Sequence, residues 1–303
     1  LVYGIGGIGK TTLAQLVFND PQFQDYSQVW VHVSEMLNLN KVGNSIISQL
    51  TDETSRIADK QMLHNRLRKQ FTGKSILIVL DDMWEEDPDN LNDLMTMLKL
   101  GTRRKVIVIV TTRDEAIAKI ICGPTVTPYK LEILTDDMCW TIIKQKTGFK
   151  DRVDKKQLEG IGMEIAIKCG GVALAAHSLG YMLREMMSDQ WESVRDSCIW
   201  NLSTRRDPSS RIHKVLGSLL LNYSHMPDWL KLCFSYCAVF PKGRSIMKYH
   251  LIHQWIALEF TEQSTIFDSM QLCENYVTQL LGMSFLQYSK TPLVSRYITL
   301  LLF

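Results

Sequence analysis

One stretch constrains this chain more than any other. Gly4-Ile5-Gly6-Gly7-Ile8-Gly9-Lys10-Thr11 follows the apolar Leu1-Val2-Tyr3 and precedes Leu13, Leu16 and Val17 at helical spacing. The pattern is G-x-x-x-x-G-K-[ST] between a predicted strand and a predicted helix. Without Cβ atoms in the way, the backbone N–H groups of Gly6, Gly7, Ile8 and Gly9 can point into one cavity. A helix beginning near Lys10 adds its positive end there. The Lys10 ammonium, with the hydroxyls of Thr11 and Thr12 behind it, completes a donor set suited to a polyphosphate. Lys10 is expected on the β/γ phosphates and Thr11 on Mg²⁺.

A phosphate loop of this kind needs a second element, and Lys74-Ser75-Ile76-Leu77-Ile78-Val79-Leu80-Asp81-Asp82 supplies one. An apolar run of that length reads as a strand buried on both faces. Its carboxyl end, where ligands bind in parallel sheets, carries two aspartates. Asp81 is expected to hold Mg²⁺, and Asp82 to orient or deprotonate a water. A third strand, 105–110, ends in Thr111-Thr112-Arg113. Arg113 can fork onto a terminal phosphate and so sense it. A fourth strand is read at 28–33, and helical spacing at Leu91, Leu94, Met95 and Leu98 falls between strands. The predicted class is α/β, a P-loop NTPase parallel sheet with covering helices.

After about residue 150 the strand signal stops. Leu158, Ile161, Ile165 and Cys169 share a helical face, and 172–187 reads as one strongly apolar helix. Beyond 224, helical patterns around Leu230, Leu251 and Cys273 precede two candidate strands near 284–288 and 297–303, the order of a winged helix. The expected division is therefore a nucleotide-binding domain at 1–150, a small helical domain at 151–223 and a winged-helix domain at 224–303.

Composition excludes some functions. A formal charge of +2 gives no electrostatic reason to expect nucleic acid or an anionic membrane as partner. No apolar run approaches the ~20 residues of a membrane helix. The seven cysteines form no metal-ligand spacing, and Cys233 and Cys237 read as buried thiols one helical turn apart. Reduced thiols fit the cytoplasm, with the nucleus also open. A chain that starts at Leu1, directly on a strand, reads as part of a longer protein.

Taken in order, the blocks GIGGIGKTTLAQ, VWVHVSE, LIVLDDMW, VIVTTR, YKLEILTDDMCW, CGGVALAA and CFSYCAVFPKG resemble the NB-ARC module of plant disease-resistance proteins, the nucleotide-binding, leucine-rich-repeat immune receptors. Trp84 after the double aspartate is similar to their coiled-coil class. The resemblance implies an ADP/ATP switch, off with ADP and on with ATP, with Arg113 as sensor and with Ala173 and Leu174 near the base. It implies further coiled-coil and leucine-rich-repeat domains as partners in the full receptor, and a homo-oligomer on activation. The chain departs from the pattern at Ala173, where the family usually has proline, and after Gln287, where no Met-His-Asp triplet follows.

Three other readings stay open. A turnover ATPase such as a kinase or motor would need an acceptor site or a trans-acting arginine, and no signature of either is visible. A DNA-binding winged helix would need basic and amide side chains on its reading helix, whereas 247–259 is mostly apolar. A degenerate copy that keeps the shape without binding is the third. As an enzyme, the chain is expected to be at most a slow ATPase.

Overall fold

The structure is a computed structural model. It describes residues 1–33, 36–99, 105–124, 126–202, 211–240, 245–264, 266–288 and 297–300. The chain divides into two compact units, Leu1–Glu132 and Ile133–Phe303.

In the first unit the elements run β1 (Val2–Tyr3), α1 (Lys10–Phe18), β2 (Ser27–His32), α2 (Leu39–Thr51), α3 (Lys60–Phe71), β3 (Ile76–Met83), α4 (Pro88–Leu98), β4 (Val106–Thr112), α5 (Glu115–Cys122) and β5 (Tyr129–Lys130). The strands form one parallel sheet in the order β2-β3-β4-β1-β5. β3 explains why a sheet forms. Ile76, Ile78 and Leu80 face a core shared with Val29, Val31 and residues of α2 to α5, while Val79 joins Trp30 and Ala14 of α1 in a separate cluster. Both faces of the strand are therefore covered, and an unbroken apolar run is what that environment selects.

Helix α1 corrects one detail of the sequence reading. Leu16 is exposed, and the packed face carries Lys10, Ala14 and the partly buried Phe18, which meets Trp30 edge to face at 5.3 Å. This i, i+4 face turns Lys10 inward at the loop. At the β2 edge, the Gln49 side chain accepts from the Trp30 N–H and donates to the Trp30 carbonyl, each at 3.0 Å. The amide thus stands in for a further strand on an otherwise open edge.

The second unit runs α6 (Asp136–Thr147), α7 (Lys155–Lys168), α8 (Ala173–Leu183), α9 (Ser188–Asp196), α10 (Ile199–Leu202), α11 (Arg211–His225), α12 (Asp228–Tyr236), β6 (Ser245–Met247), α13 (Lys248–Ala257), α14 (Ser269–Gly282), β7 (Leu286–Tyr288) and β8 (Tyr297–Leu300). The last strands pair antiparallel in the order β6-β8-β7, which with α12 to α14 makes the expected winged helix and adds a strand, β6, that the sequence did not announce. Residues 301–303, part of the second candidate strand, lie outside the described residues.

The apolar segment 172–187 is not one helix. α8 ends at Leu183, and the Arg152 guanidinium takes the carbonyls of Arg184 and Met186 at 3.0 and 2.8 Å, which turns the chain before α9. α8 packs on α6 and α11. Trp140 of α6 sits edge to face with Phe149 and Trp191, and Gly162 of α7 lies against its ring. Helix α6, which falls before the expected boundary at 150, belongs to the second compact unit. Cys233 and Cys237 are both fully buried, and burial holds the Cys237 thiol up at about 12. His250 and His253 are exposed on α13, His253 against the Tyr249 ring. Among the described residues, no helix is long and apolar enough to cross a membrane.

Candidate functional site

Helix capping singles out one end of the sheet. In the first unit α2, α3, α4 and α5 each start at a side chain that accepts a backbone N–H: Asn38, Asp59, Asp87 and Asp114. Helix α1 starts instead at Gly9, at φ 113°, with no side-chain cap. Its first N–H groups are left for something other than the protein's own side chains. Gly7 is also left-handed, at φ 74°, a conformation that a Cβ would strain.

Lys10 closes the loop from within. Its Nζ donates to the carbonyls of Gly4 and Ile5 at 2.7 and 3.0 Å, and the residue is only 7% exposed. Burial first, and then the charge of Arg113, bring the ammonium down to about 8, against the opposing pull of Asp82 and Asp81. A buried ammonium this close to losing its proton gains from any anion placed beside it.

The ends of β3 and β4 are joined by hydroxyls. Asp81 Oδ1 accepts from Thr11 Oγ1 and from Thr111 Oγ1, both at 2.8 Å. Thr111 Oγ1 in turn accepts the Asp82 N–H at 2.9 Å, and Thr112 Oγ1 donates to the Met83 carbonyl at 2.9 Å. The register between β3 and β4 shifts between Leu80 and Met83, with Asp82 at φ 62°. This bulge re-aims two consecutive carboxylates. Asp81 goes inward to the two threonines, while Asp82 meets Arg113 Nε at 3.3 Å. The Arg113 guanidinium lies over the Trp84 ring, 4.8 Å from its centroid. A Cβ at Gly6 would come within 3.3 Å of Arg113 Nη1, so the arginine rests against the phosphate loop itself.

The residues expected at the site are therefore largely brought together. The loop Gly6-Gly7-Ile8-Gly9, Lys10, Thr11, Asp81, Asp82 and Arg113 form one connected group. Thr12 is exposed on the first turn of α1, outside that network. Ala173 and Leu174 open α8 in the second unit, both half-buried. Sequence reasoning missed Thr111, whose only signal is a hydroxyl at the polar end of a buried strand. It also missed what Trp84 does.

The donor chemistry can be tested against a metal. Among the described residues no group of three or more His, Cys, Asp or Glu side chains is set to hold one. Thr11 and Asp81 offer two hard oxygens. That is a fit for Mg²⁺, which keeps several waters and takes its remaining ligands from phosphate.

Comparison with known proteins gives the family. Residues 1–153 match the family model of the NB-ARC domain, and 239–299 match the model of the disease resistance protein winged helix domain. The disease resistance protein RGA2 of Solanum bulbocastanum is 39% identical over 264 residues, 86% of this chain and 26% of that protein. The disease resistance RPP13-like protein 4 of Arabidopsis thaliana is 30% identical over 263 residues, 85% of this chain and 30% of that one. The chain thus spans about a quarter to a third of the length of these relatives. A Signal Transduction ATPase with Numerous Domains from Pyrococcus horikoshii, with a tetratricopeptide repeat sensor, shares the fold at TM-score 0.55 and 15% identity, over 99% of this chain and 38% of that one. With half of its length matched by one family model and its end matched by a second from disease-resistance proteins, the chain belongs to the NB-ARC family.

Proposed function

We propose that this chain is the ADP/ATP-binding switch of a plant immune receptor, off with ADP and on with ATP, with slow or no hydrolysis. One observation carries the reading. The uncapped start of α1 and the buried, acidified Lys10 lie on the same loop against which Arg113 rests, so helix dipole, ammonium and guanidinium converge on one place. A polyphosphate answers all three.

The roles follow from the chemistry. Backbone N–H groups of Gly6 to Thr12 and the Lys10 ammonium hold phosphates. Thr11 and Asp81 would hold Mg²⁺, which would supply positive charge to neutralise the phosphates. Thr111 keeps the Asp81 carboxylate in place. Asp82 orients a water, and Arg113 senses the terminal phosphate. The family resemblance assigns Ala173 and Leu174 to the base. The nucleotide-binding, helical and winged-helix segments, 1–150, 151–223 and 224–303, are the parts the nucleotide rearranges. A ligand can bias such an equilibrium only through differential contacts, and the terminal phosphate is the group that differs. Coiled-coil and leucine-rich-repeat domains complete the receptor, which oligomerises when active and works in the cytoplasm or nucleus.

The experiment is to purify the chain, analyse the nucleotide that comes with it, and follow binding and turnover with Mg²⁺. Co-purified ADP, binding of both nucleotides and turnover below about one per minute are expected for an unassisted switch. Several turnovers per second would favour a turnover ATPase. No binding of either nucleotide by folded protein would leave a degenerate copy.

A further inference from the structure

Arg113 is held on three sides, and two of the three, Asp82 and the loop at Gly6, belong to the phosphate-site group. Its Nε is taken by Asp82 at 3.3 Å, its Nη1 edge rests against the loop at Gly6, and its flat face lies on Trp84 at 4.8 Å. Trp84 follows the last residue of β3 and is half-buried. A cavity of about 150 Å³ opens beside the stack, lined by Met83, Trp84, Glu86, Thr112, Arg113 and Asp114. Two acidic residues, Glu86 and Asp114, thus line space next to the guanidinium, Asp114 with one carboxylate oxygen already accepting the Ala116 N–H as the cap of α5.

An unsupported arginine has many rotamers and loses about 2 kcal/mol of side-chain freedom when fixed. The cavity, with Glu86 at its edge, offers it somewhere else to go. A tryptophan face restricts the guanidinium to one plane by cation–π attraction and closes that alternative sterically. We infer that Trp84 is a positioning residue: it keeps the Arg113 Nη edge turned to the phosphate loop and away from the Glu86 side, so that the chain distinguishes a triphosphate from a diphosphate. The inference rests on the nucleotide-switch reading above and assigns that reading's discrimination to a residue outside the phosphate-binding group.

The test is calorimetric affinity for ADP and for a non-hydrolysable ATP analogue, each with Mg²⁺, in the wild type, Trp84→Ala, Trp84→Leu, Trp84→Phe, Arg113→Ala and the double variant Trp84→Ala/Arg113→Ala. Trp84→Ala and Trp84→Leu are expected to weaken the triphosphate about 3- to 10-fold, the range of one partly desolvated cation–π contact, and to leave ADP within about twofold. Trp84→Phe should recover most of the loss because it keeps an aromatic face. In the Arg113→Ala background, Trp84→Ala should cost nothing further. If Trp84→Ala fails to fold, the Leu and Phe variants carry the comparison, since both retain bulk and only one retains the ring.

Equal weakening of both nucleotides would overturn the inference, as would a Trp84 effect that persists undiminished without Arg113. Those outcomes leave the switch reading intact. A wild type that binds neither nucleotide overturns both.

Discussion

The loop end of the parallel sheet and the helices around α8 bury side chains for opposite reasons. At the loop, beside Ile8, the buried residues include four polar ones: Lys10, Asp81, Thr111 and Thr112 are each at most 7% exposed and bonded to one another or to backbone. Asp82, Gly7 and Gly9 sit at positive φ. Around α8 most of the buried residues are apolar and closely fitted, with Trp140, Trp191, Ala175, Ala176, Leu179 and Leu183 at most 3% exposed. The first arrangement is a poor way to stabilise a fold, because buried charge and strained backbone both cost free energy. It makes sense as a site prepared for a ligand. The second is what stabilisation looks like. Substitutions should therefore separate binding from stability according to where they fall.

The largest separation is expected at Lys10. Lys10→Ala removes an ammonium that is already costly to bury, so the nucleotide-free protein should melt within a few degrees of wild type. Its affinity for ADP should fall by about 100-fold or more, the scale of deleting one buried charged partner. Calorimetry and thermal melts on the same samples read both numbers. A large drop in melting temperature without nucleotide would place Lys10 among the structural residues and erase the contrast.

The reverse case is Gly162, in the interior of α7. Replacing a helical glycine by alanine ordinarily gains up to about 1 kcal/mol. Here the new Cβ would run into the Trp140 ring, which Phe149 at 5.0 Å and Trp191 at 6.5 Å keep from retreating. Overpacking of that kind costs about 1–3 kcal/mol, so sterics outweigh propensity. Gly162→Ala should lower the melting temperature by about 5 °C and leave nucleotide affinity within about twofold. A variant as stable as wild type would mean the ring has room the geometry denies it.

The same contrast decides what could be read from the sequence. Polyphosphate chemistry needs given residue types at given spacing, so Gly4 to Thr11, the Asp81-Asp82 pair and Arg113 stand out in one dimension. The apolar runs of β3 and β4 stand out because both their faces are buried. What escaped depends on register or on distant partners. β5 is two exposed residues, Tyr129 and Lys130, that exist as a strand only because β1 lies beside them. Thr111 matters because a bulge in the neighbouring strand puts Asp81 within reach. α8 stops at Leu183 because Arg152, far earlier in the chain, takes the next carbonyls. No local pattern encodes such partners.

Two depressed bases give a comparison in pH. Burial brings His177 on α8 down to about 4, with Lys146 adding to the effect, while its Nδ1 lies 3.2 Å from Ser284 Oγ. Its neutral form is favoured by folding. Between pH 6.5 and 4 the unfolded chain binds a proton that the folded chain refuses, so stability is lost as pH falls through that window, on the order of 2 kcal/mol. His177→Gln should flatten that slope in chemical denaturation. Lys10, at about 8 in the free protein, responds to ligand instead. An anion favours its protonated form, so ADP affinity should be full below about pH 7 and fall about tenfold between pH 7 and 9. A pH-independent affinity over that range would remove Lys10 from the phosphate contacts.

The smallest effect is expected two residues from the largest steric one. Gly160 lies in the same helix as Gly162 but is exposed, and a Cβ there would meet nothing within 4 Å. With no clash to oppose it, the propensity gain stands alone. Gly160→Ala should stabilise the second unit by about 0.5–1 kcal/mol and leave nucleotide binding unchanged. Because the two glycines share a helix, its length and its neighbours, the opposite signs isolate the Trp140 contact as the cause. If both alanines stabilise, α7 tolerates a Cβ on either face, and the close fit assigned to the second unit fails at one of its tightest contacts.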